Sequence, residues 1–441
     1  MQSTDFSGLR PRVAAALASI LALVLLEHSP ARPQLAVTPA RSHATLSADL
    51  NAKVDSQQSG EIRPVPAFLD KGLAWLADAQ FPNGGWGAGT HANQGVLDPR
   101  AVQIDPATTA FSAMALIRSG NTLKEGPYHR NVQQALEYML NAVEEYPEEG
   151  TTITNLTGTQ PQAKLGQNID VTMCAQFFAR VLPHTKLDRA LHNRVTLALD
   201  KCLRKIEKGQ NADGSWTDSG WAPVLQSSMA NSALELGEVA GRKVSQEALK
   251  KSRDYQKSNV DARTGKVRTE KAAGVSLYSL TGNQRATAPE ARQSRQMIDD
   301  AKQKGILEKD AEVSVDNLIK AGADRRKAQT LADAYRQNEA GKAQLRDETV
   351  LSGFGNNGGE EFLSYMMSSE AMVVTGGKDW GEWHEKISRR LENSQNSDGS
   401  WSGQHCITSP VFCTAAVILT LTAERDEYVL RSEQARHQPL K

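Results

Sequence analysis

Lys71 to Trp86 reads KGLAWLADAQFPNGGW, Lys201 to Trp216 reads KCLRKIEKGQNADGSW, and Lys386 to Trp401 reads KISRRLENSQNSDGSW. The three stretches superpose without a gap. Gln follows the Lys by nine residues (Gln80, Gln210, Gln395), and Asn or Asp by twelve (Asn83, Asp213, Asp398). Gly follows by thirteen (Gly84, Gly214, Gly399) and Trp by fifteen (Trp86, Trp216, Trp401). Three of the 7 tryptophans therefore fall on one position, which chance explains poorly. In the first copy Leu73, Leu76 and Ala77 are spaced for one helix face, and no Pro interrupts the Lys-to-Gln stretch, so the pattern predicts a helix. The Asn/Asp-Gly pair ends that helix in a turn of positive φ. The Gln amide is placed to satisfy loose backbone groups at the turn, and the Trp ring to cover the helix end.

A second helix rich in small and apolar residues follows each turn, as in Pro106 to Ile117 (PATTAFSAMALI) and Ser409 to Leu421 (SPVFCTAAVILTL). Fainter copies fill the gaps. Asn131 to Val143 pairs with Ile169 to Leu182, and Ala248 to Gln256 with Ala272 to Leu280, while Phe362 to Val374 is a further helix of the second type. Helix pairs repeating at about 50 to 65 residues build a solenoid or a closed ring. Second-type helices near 106, 170, 223, 272, 362 and 409 number six. Between Arg285 and Val350 the character changes: of 66 residues 25 are charged, and Tyr335 is the one aromatic. This run reads as solvated helices inserted in the ring, supplying its fifth outer position, with a partner-binding arm as the alternative.

The Lys…Gln-x-x-x-Gly-x-Trp pattern resembles the QW repeat of squalene and oxidosqualene cyclases, and is similar to the repeats of protein prenyltransferase β subunits. The resemblance spans most of residues 66–425 apart from the charged run. It implies an all-α fold, an (α/α)6 toroid of six inner and six outer helices around a central cavity. The chemistry of the family does not carry over with it. A class II cyclase protonates its alkene with the middle Asp of an Asp-x-Asp-Asp motif, and no such tetrad occurs; Asp299-Asp300 lacks the first Asp. Cyclases also line the cavity with rings, and 9 Phe, 8 Tyr and 7 Trp leave few to spare. Prenyltransferases hold zinc with Asp, Cys and His, but Asp170 and Cys174 are four apart where the family has Asp-x-Cys. His405-Cys406 then reads as a structural His beside a cystine, and neither a metal nor a cofactor is expected.

Lys+Arg 51 balances Asp+Glu 51, which argues against a nucleic-acid binder working through bulk positive charge. Val13 to Leu26 (VAAALASILALVLL) follows Arg10 and Arg12 in the order of a secretory signal. Its 14 residues reach about 21 Å, short of the ~30 Å bilayer core, so cleavage and export are expected, and membrane contact only if the segment is retained. The expected organisation is a leader over 1–44, a linker over 45–65, the toroid over 66–425 with its charged insertion over 285–350, and a polar tail over 426–441. Four cysteines permit disulfides in an exported chain. Cys406 with Cys413 closes a short loop and Cys174 with Cys202 bridges neighbouring helices, but all three connectivities stay open.

In such a toroid the loops before the inner helices share one mouth. That places His91, Asp105, Asp170, Trp221, the Gly358-Gly359-Glu360-Glu361 turn and His405 together. Glu360 and Glu361 are the leading acid–base candidates, with Tyr365 one turn on to orient Glu361. Asp105 and Asp170 also fit as helix N-caps or first-turn acids. Two classes of function remain. One is a toroid that binds an apolar, isoprenoid-like ligand or a partner protein without catalysis. The other is an enzyme, either a diverged terpenoid cyclase or prenyltransferase, or a polysaccharide lyase or hydrolase.

Overall fold

The computed structural model describes residues 62–216 and 220–426; the leader expected over 1–44, most of the linker and the tail after 426 lie outside them. Among the described residues the inner helices are α2 (Pro106–Arg118), α5 (Ile169–Val181), α7 (Pro223–Val239), α9 (Ser276–Gln303), α13 (Gly359–Thr375) and α15 (Pro410–Leu421). The outer helices are α1 (Leu69–Asp78), α3 (His129–Glu145), α6 (Arg189–Lys208), α8 (Gln246–Lys257), α11 (Arg325–Gln344) and α14 (Asp379–Glu392). Each inner helix packs on the next, and α15 packs back on α2, so the inner circuit closes. This is an all-helical (α/α)6 toroid. None of the described helices is long and apolar enough to cross a membrane.

Composition sorts the two layers. Every residue of α13 and α15 is buried, as helices enclosed on all sides require, and both are rich in Ser, Thr, Ala and Val. Outer helices are amphipathic; α3 buries Val132, Ala135, Leu136, Met139, Leu140 and Val143 and leaves its charges to solvent. Pro106, Pro223 and Pro410 open inner helices at the first position, where a missing N–H costs nothing.

The three Gln–Gly–Trp turns are alike bond for bond. The Trp86, Trp216 and Trp401 indoles each donate, at 2.8 Å, to the carbonyl ten residues earlier, on Leu76, Ile206 and Leu391. Their backbone N–H groups each donate at 2.9 Å to a hydroxyl on the following inner helix, from Thr109, Ser227 and Thr414. Gln80, Gln210 and Gln395 donate to the carbonyl of their own turn glycine, and also to the start of the next outer helix, at Asn131, Ala248 and Phe68. The glycine cannot be replaced without moving that neighbour. Gly84, Gly214 and Gly399 have φ of +89°, +88° and +96°, and an added Cβ would fall 2.2 Å from Gln134 O, 2.2 Å from Lys251 O and 2.6 Å from Lys71 Cβ. The last turn thus grips α1, the first helix of the ring.

The charged run differs from its expected outline. Its first residues do not open a separate insertion at 285: α9 continues unbroken to Gln303, with Arg285 to Pro289 buried in the ring. Beyond that, α9, α10 (Val315–Lys320) and α11 close over their own small cluster, including Ile298, Leu318 and Leu331. Helix α11 lies along α9 as the fifth outer helix. The cysteines differ as well. Cys174, Cys202, Cys406 and Cys413 are all buried and free, so neither expected cystine forms.

Gln395→Ala removes both the turn bond and the bond to Phe68. It is expected to cost about 2 kcal/mol, roughly 1 for each lost bond. A lowered urea midpoint with faster amide exchange in α1 is the readout; unchanged exchange in α1 would contradict its role in closing the ring.

Candidate functional site

The inner helices bring their N-termini to one mouth, and four carboxylates gather there. Asp105 caps α2: Oδ1 accepts Thr108 N–H at 2.7 Å, and Oδ2 accepts Ala88 N–H at 3.0 Å and the Thr108 hydroxyl at 2.9 Å. Asp170, in the first turn of α5, accepts Ala107 N–H at 3.0 Å, a donor that helix α2 leaves without an internal partner. Its other oxygen accepts Gln162 Nε2 at 2.7 Å. Both side chains are fully buried. Burial pushes both carboxyls up, and the Asp105 charge raises Asp170 further. This pair ties α2, α5, the loop at Ala88 and the short helix α4 (Gln160–Leu165) together.

Glu361 is similarly committed. Oε2 accepts the Gly358 N–H at 2.9 Å, and Oε1 accepts the Tyr278 hydroxyl at 2.6 Å and Phe354 N–H at 3.1 Å. Tyr365 does not orient it; that hydroxyl donates to Leu351 O at 2.6 Å. Tyr278, from the facing inner helix α9, takes the role instead. Glu360 is different. Oε2 accepts Ile407 N–H at 3.3 Å, but the buried Oε1 finds no hydrogen-bond partner among the described residues. Burial, then the neighbouring Glu361 charge, pushes the Glu360 carboxyl up to about 8, so it carries its proton at neutral pH.

A strap formed by Gln404 to Thr408 crosses this mouth. Gln404 N–H donates to Asn357 O at 2.8 Å, Gln94 Nε2 to Cys406 O at 2.6 Å, and Thr408 N–H to Gln160 Oε1 at 2.7 Å. Cys406 sits in the strap at a φ of 62°, a left-handed conformation that costs a non-glycine residue about 1 kcal/mol. The Cys406 thiol is pushed up to about 12 by burial and the Glu360 charge, so it stays protonated. His405 Nε2 lies 2.9 Å from Asn356 O and so bears its proton toward that carbonyl; Glu361 is 3.6 Å away.

Above the strap the rim is aromatic. The Trp221 and Phe354 rings meet edge to face at 5.5 Å, and Phe354 lies 5.4 Å from the His405 ring. Lys164 Nζ stands 4.5 Å from the Trp221 ring centre, over its face. His91 is exposed, bonded through Nδ1 to Gln94 Nε2, and lowered by partial burial and the Lys164 charge. The structure thus divides the expected residues into two sets. Asp105 and Asp170 join each other, whereas Glu360, Glu361, His405 and Trp221 surround Lys164 and the strap. Gln160, Lys164, Tyr278 and Phe354 were not anticipated. The only local signal was Thr159, whose hydroxyl and Gln162 cap the helix that carries Gln160 and Lys164. Among the described residues no group of three or more His, Cys, Asp and Glu side chains is arranged to hold a metal.

No protein-family model and no curated protein matches the chain. Among solved structures it is similar to an inactive variant of the alpha-1,6-mannanase GH76A of Salegentibacter sp. HEL1_6, in complex with alpha-1,6-mannotriose. That likeness has a TM-score of 0.46 at 12% identity, covering 81% of this chain and 98% of the other. It is also similar to a variant of the type II terpene cyclase MstE from Scytonema, in complex with its product merosterolic acid A. There the TM-score is 0.30 at 12% identity, covering 82% and 97%. At these scores the ring rests on its own helix packing.

The raised carboxyls set a pH dependence. Folding favours their protons, so this stabilisation is complete below the ordinary carboxylate range and is lost as pH climbs through the raised values, to about 8 for Glu360. Stability should therefore fall between pH 5 and 8, by up to about 1.4 kcal/mol per pH unit for each extra proton held. Glu360→Gln, neutral at every pH, should flatten the upper part of that fall in denaturant titrations. An unchanged slope would place Glu360 in solvent contact.

Proposed function

We propose that this protein is a ligand-binding toroid whose mouth takes a molecule with an apolar face and an anionic or strongly polar group. The carrying observation is the rim. Trp221 and Phe354 remain 38% and 55% exposed, while Lys164 beneath them and the carboxylates below are buried. Exposed, touching rings beside a held ammonium group suit an isoprenoid-like chain stacked on the rings with its charged head against Lys164. The committed oxygens of Asp105, Asp170 and Glu361 support binding rather than turnover, since each already holds a backbone or side-chain donor in the architecture.

A second reading rests on Glu360 alone. A buried carboxyl that keeps its proton at pH 7, with one oxygen unbonded, is the device a general acid needs. It would serve a diverged terpenoid cyclase or a sugar-cleaving enzyme once the strap moved aside.

Titration of a prenyl diphosphate against Trp221 fluorescence, isolated by difference from Trp221→Phe, separates these readings. Saturable quenching is expected, with affinity about tenfold weaker in Lys164→Met, equivalent to ~1.4 kcal/mol. Absence of any saturable response would sink the isoprenoid reading. A product mass from prenyl or oligosaccharide incubations, abolished in Glu360→Gln, would replace binding with catalysis.

A further inference from the structure

The opposite end of the ring holds a second cluster of charges, unconnected with the mouth. Arg118 in the last turn of α2 and Arg180 in the last turn of α5 both reach Asp426 Oδ2. Arg118 Nη2 donates at 2.5 Å, Arg180 Nε at 2.9 Å and Arg180 Nη2 at 2.8 Å. Arg118 Nη2 also donates to Glu370 Oε1 at 2.7 Å and Nη1 to Leu419 O at 3.0 Å. Arg285 Nη1 donates to the other Glu370 oxygen at 2.6 Å, and its Nη2 lies 3.7 Å from Glu235. All of these side chains are buried. Burial opposes the charge on Asp426, yet Arg180 and Arg118 hold its carboxyl well below the usual carboxylate range.

Asp426 belongs to no ring helix. It follows a single 3-10 turn, Ala423–Arg425, after α15 has ended. The receptor, by contrast, is built wholly from the ring: two guanidinium groups on adjacent inner helices aimed at one oxygen, with Arg118 Nε buried and without a partner among the described residues. Three N–H donors, one from Arg118 and two from Arg180, converge on one oxygen, a set that suits any oxyanion. Without Asp426, Arg118 and Arg180 would lose the carboxylate they share, in a buried site where Arg285 and Arg253 already draw on Glu235. Leaving such a charge uncompensated is costly.

We propose that this end of the toroid is a buried anion site of carboxylate or phosphate class, filled by the chain's own Asp426 as an internal ligand. A free oxyanion takes the same place once the Asp426 carboxylate is removed. The test uses the full chain with Asp426→Ala, melted in sodium acetate, in sodium phosphate and in sodium chloride of matched ionic strength. The variant is expected to melt below the wild type, and acetate or phosphate to raise its melting temperature by about 3 °C or more over chloride. The wild type should show no such preference, because its site is occupied. Preference for acetate marks a carboxylate site, and preference for phosphate a phosphate site. Asp426→Asn keeps the shape while lacking the charge, and serves where the Ala variant does not fold. Adding Arg180→Gln to either variant should abolish the anion response. Equal melting in all three salts, an equal response in wild type, or failure of both variants to refold even in acetate would overturn the proposal.

Discussion

The carboxamide of Gln395 joins the last outer helix of the ring to the first. One Nε2 group donates to Gly399 O at 2.8 Å and to Phe68 O at 3.0 Å, so the last turn is sealed and the first outer helix held by the same side chain. A row of helix pairs has two exposed ends, each with an unburied apolar face. Here Trp401 covers the end of α14 and packs beside Phe68, and α15 rests on α2, so neither end exists. A second fastening lies further along. Glu424 accepts Arg63 N–H at 3.1 Å, its guanidinium at 2.9 Å, and the Trp380 indole at 2.7 Å. Closure by two clasps fixes the inner helices at a common height, and that brings their N-termini to a single mouth.

Closure also explains why first-turn carboxylates gather at the mouth and last-turn arginines at the other end. Parallel inner helices sum their dipoles, positive toward the mouth and negative toward the other end. Asp105, Asp170, Glu360 and Glu361 lie at or in first turns, where loose N–H groups accept them as partners. Arg118 and Arg180 lie in last turns, where carbonyls such as Leu419 O receive them. Burial still weighs against each charge, and the chain resolves this differently at the two ends. At the mouth Glu360 keeps its proton; at the far end ions pair directly. Single-partner removal at the far end leaves an uncompensated charge, whereas Glu360 already has a neutral state.

What was legible in the sequence follows the range of the bonds involved. Gln80 to Gly84 and Trp86 to Leu76 are contacts within one turn, so their spacing repeats and can be read off. The hydroxyls that receive the Trp N–H groups lie 23, 11 and 13 residues onward, so they share no register and were invisible as part of the repeat. Tyr278 reaches Glu361 across 83 residues, a contact no local pattern encodes, whereas Tyr365 offered a plausible but wrong partner one turn away. The charged run misled because Arg285 reads as solvated until its partner Glu370, 85 residues on, is placed beside it. The cysteines misled for another reason: an even count permits pairing, but all four thiols are buried and free.

The mouth therefore divides into groups that build and groups that remain available. Asp105 and Asp170 bind donors that helix geometry leaves without partners, so their burial is repaid in hydrogen bonds. Glu361 is held by three donors from Gly358, Phe354 and Tyr278, which fixes the turn leading into α13. Glu360, one residue before, has a single long bond to Ile407, and the strap supplying it carries the left-handed Cys406. Strain and an unsatisfied oxygen thus meet at one loop crossing, where Gln160 Nε2, Asn357 Oδ1 and His405 Nδ1 are also buried without a partner among the described residues. A purely structural mouth would gain by relieving either one. Their coincidence beneath exposed Trp221 and Phe354 supports the proposal that a ligand is met at this crossing.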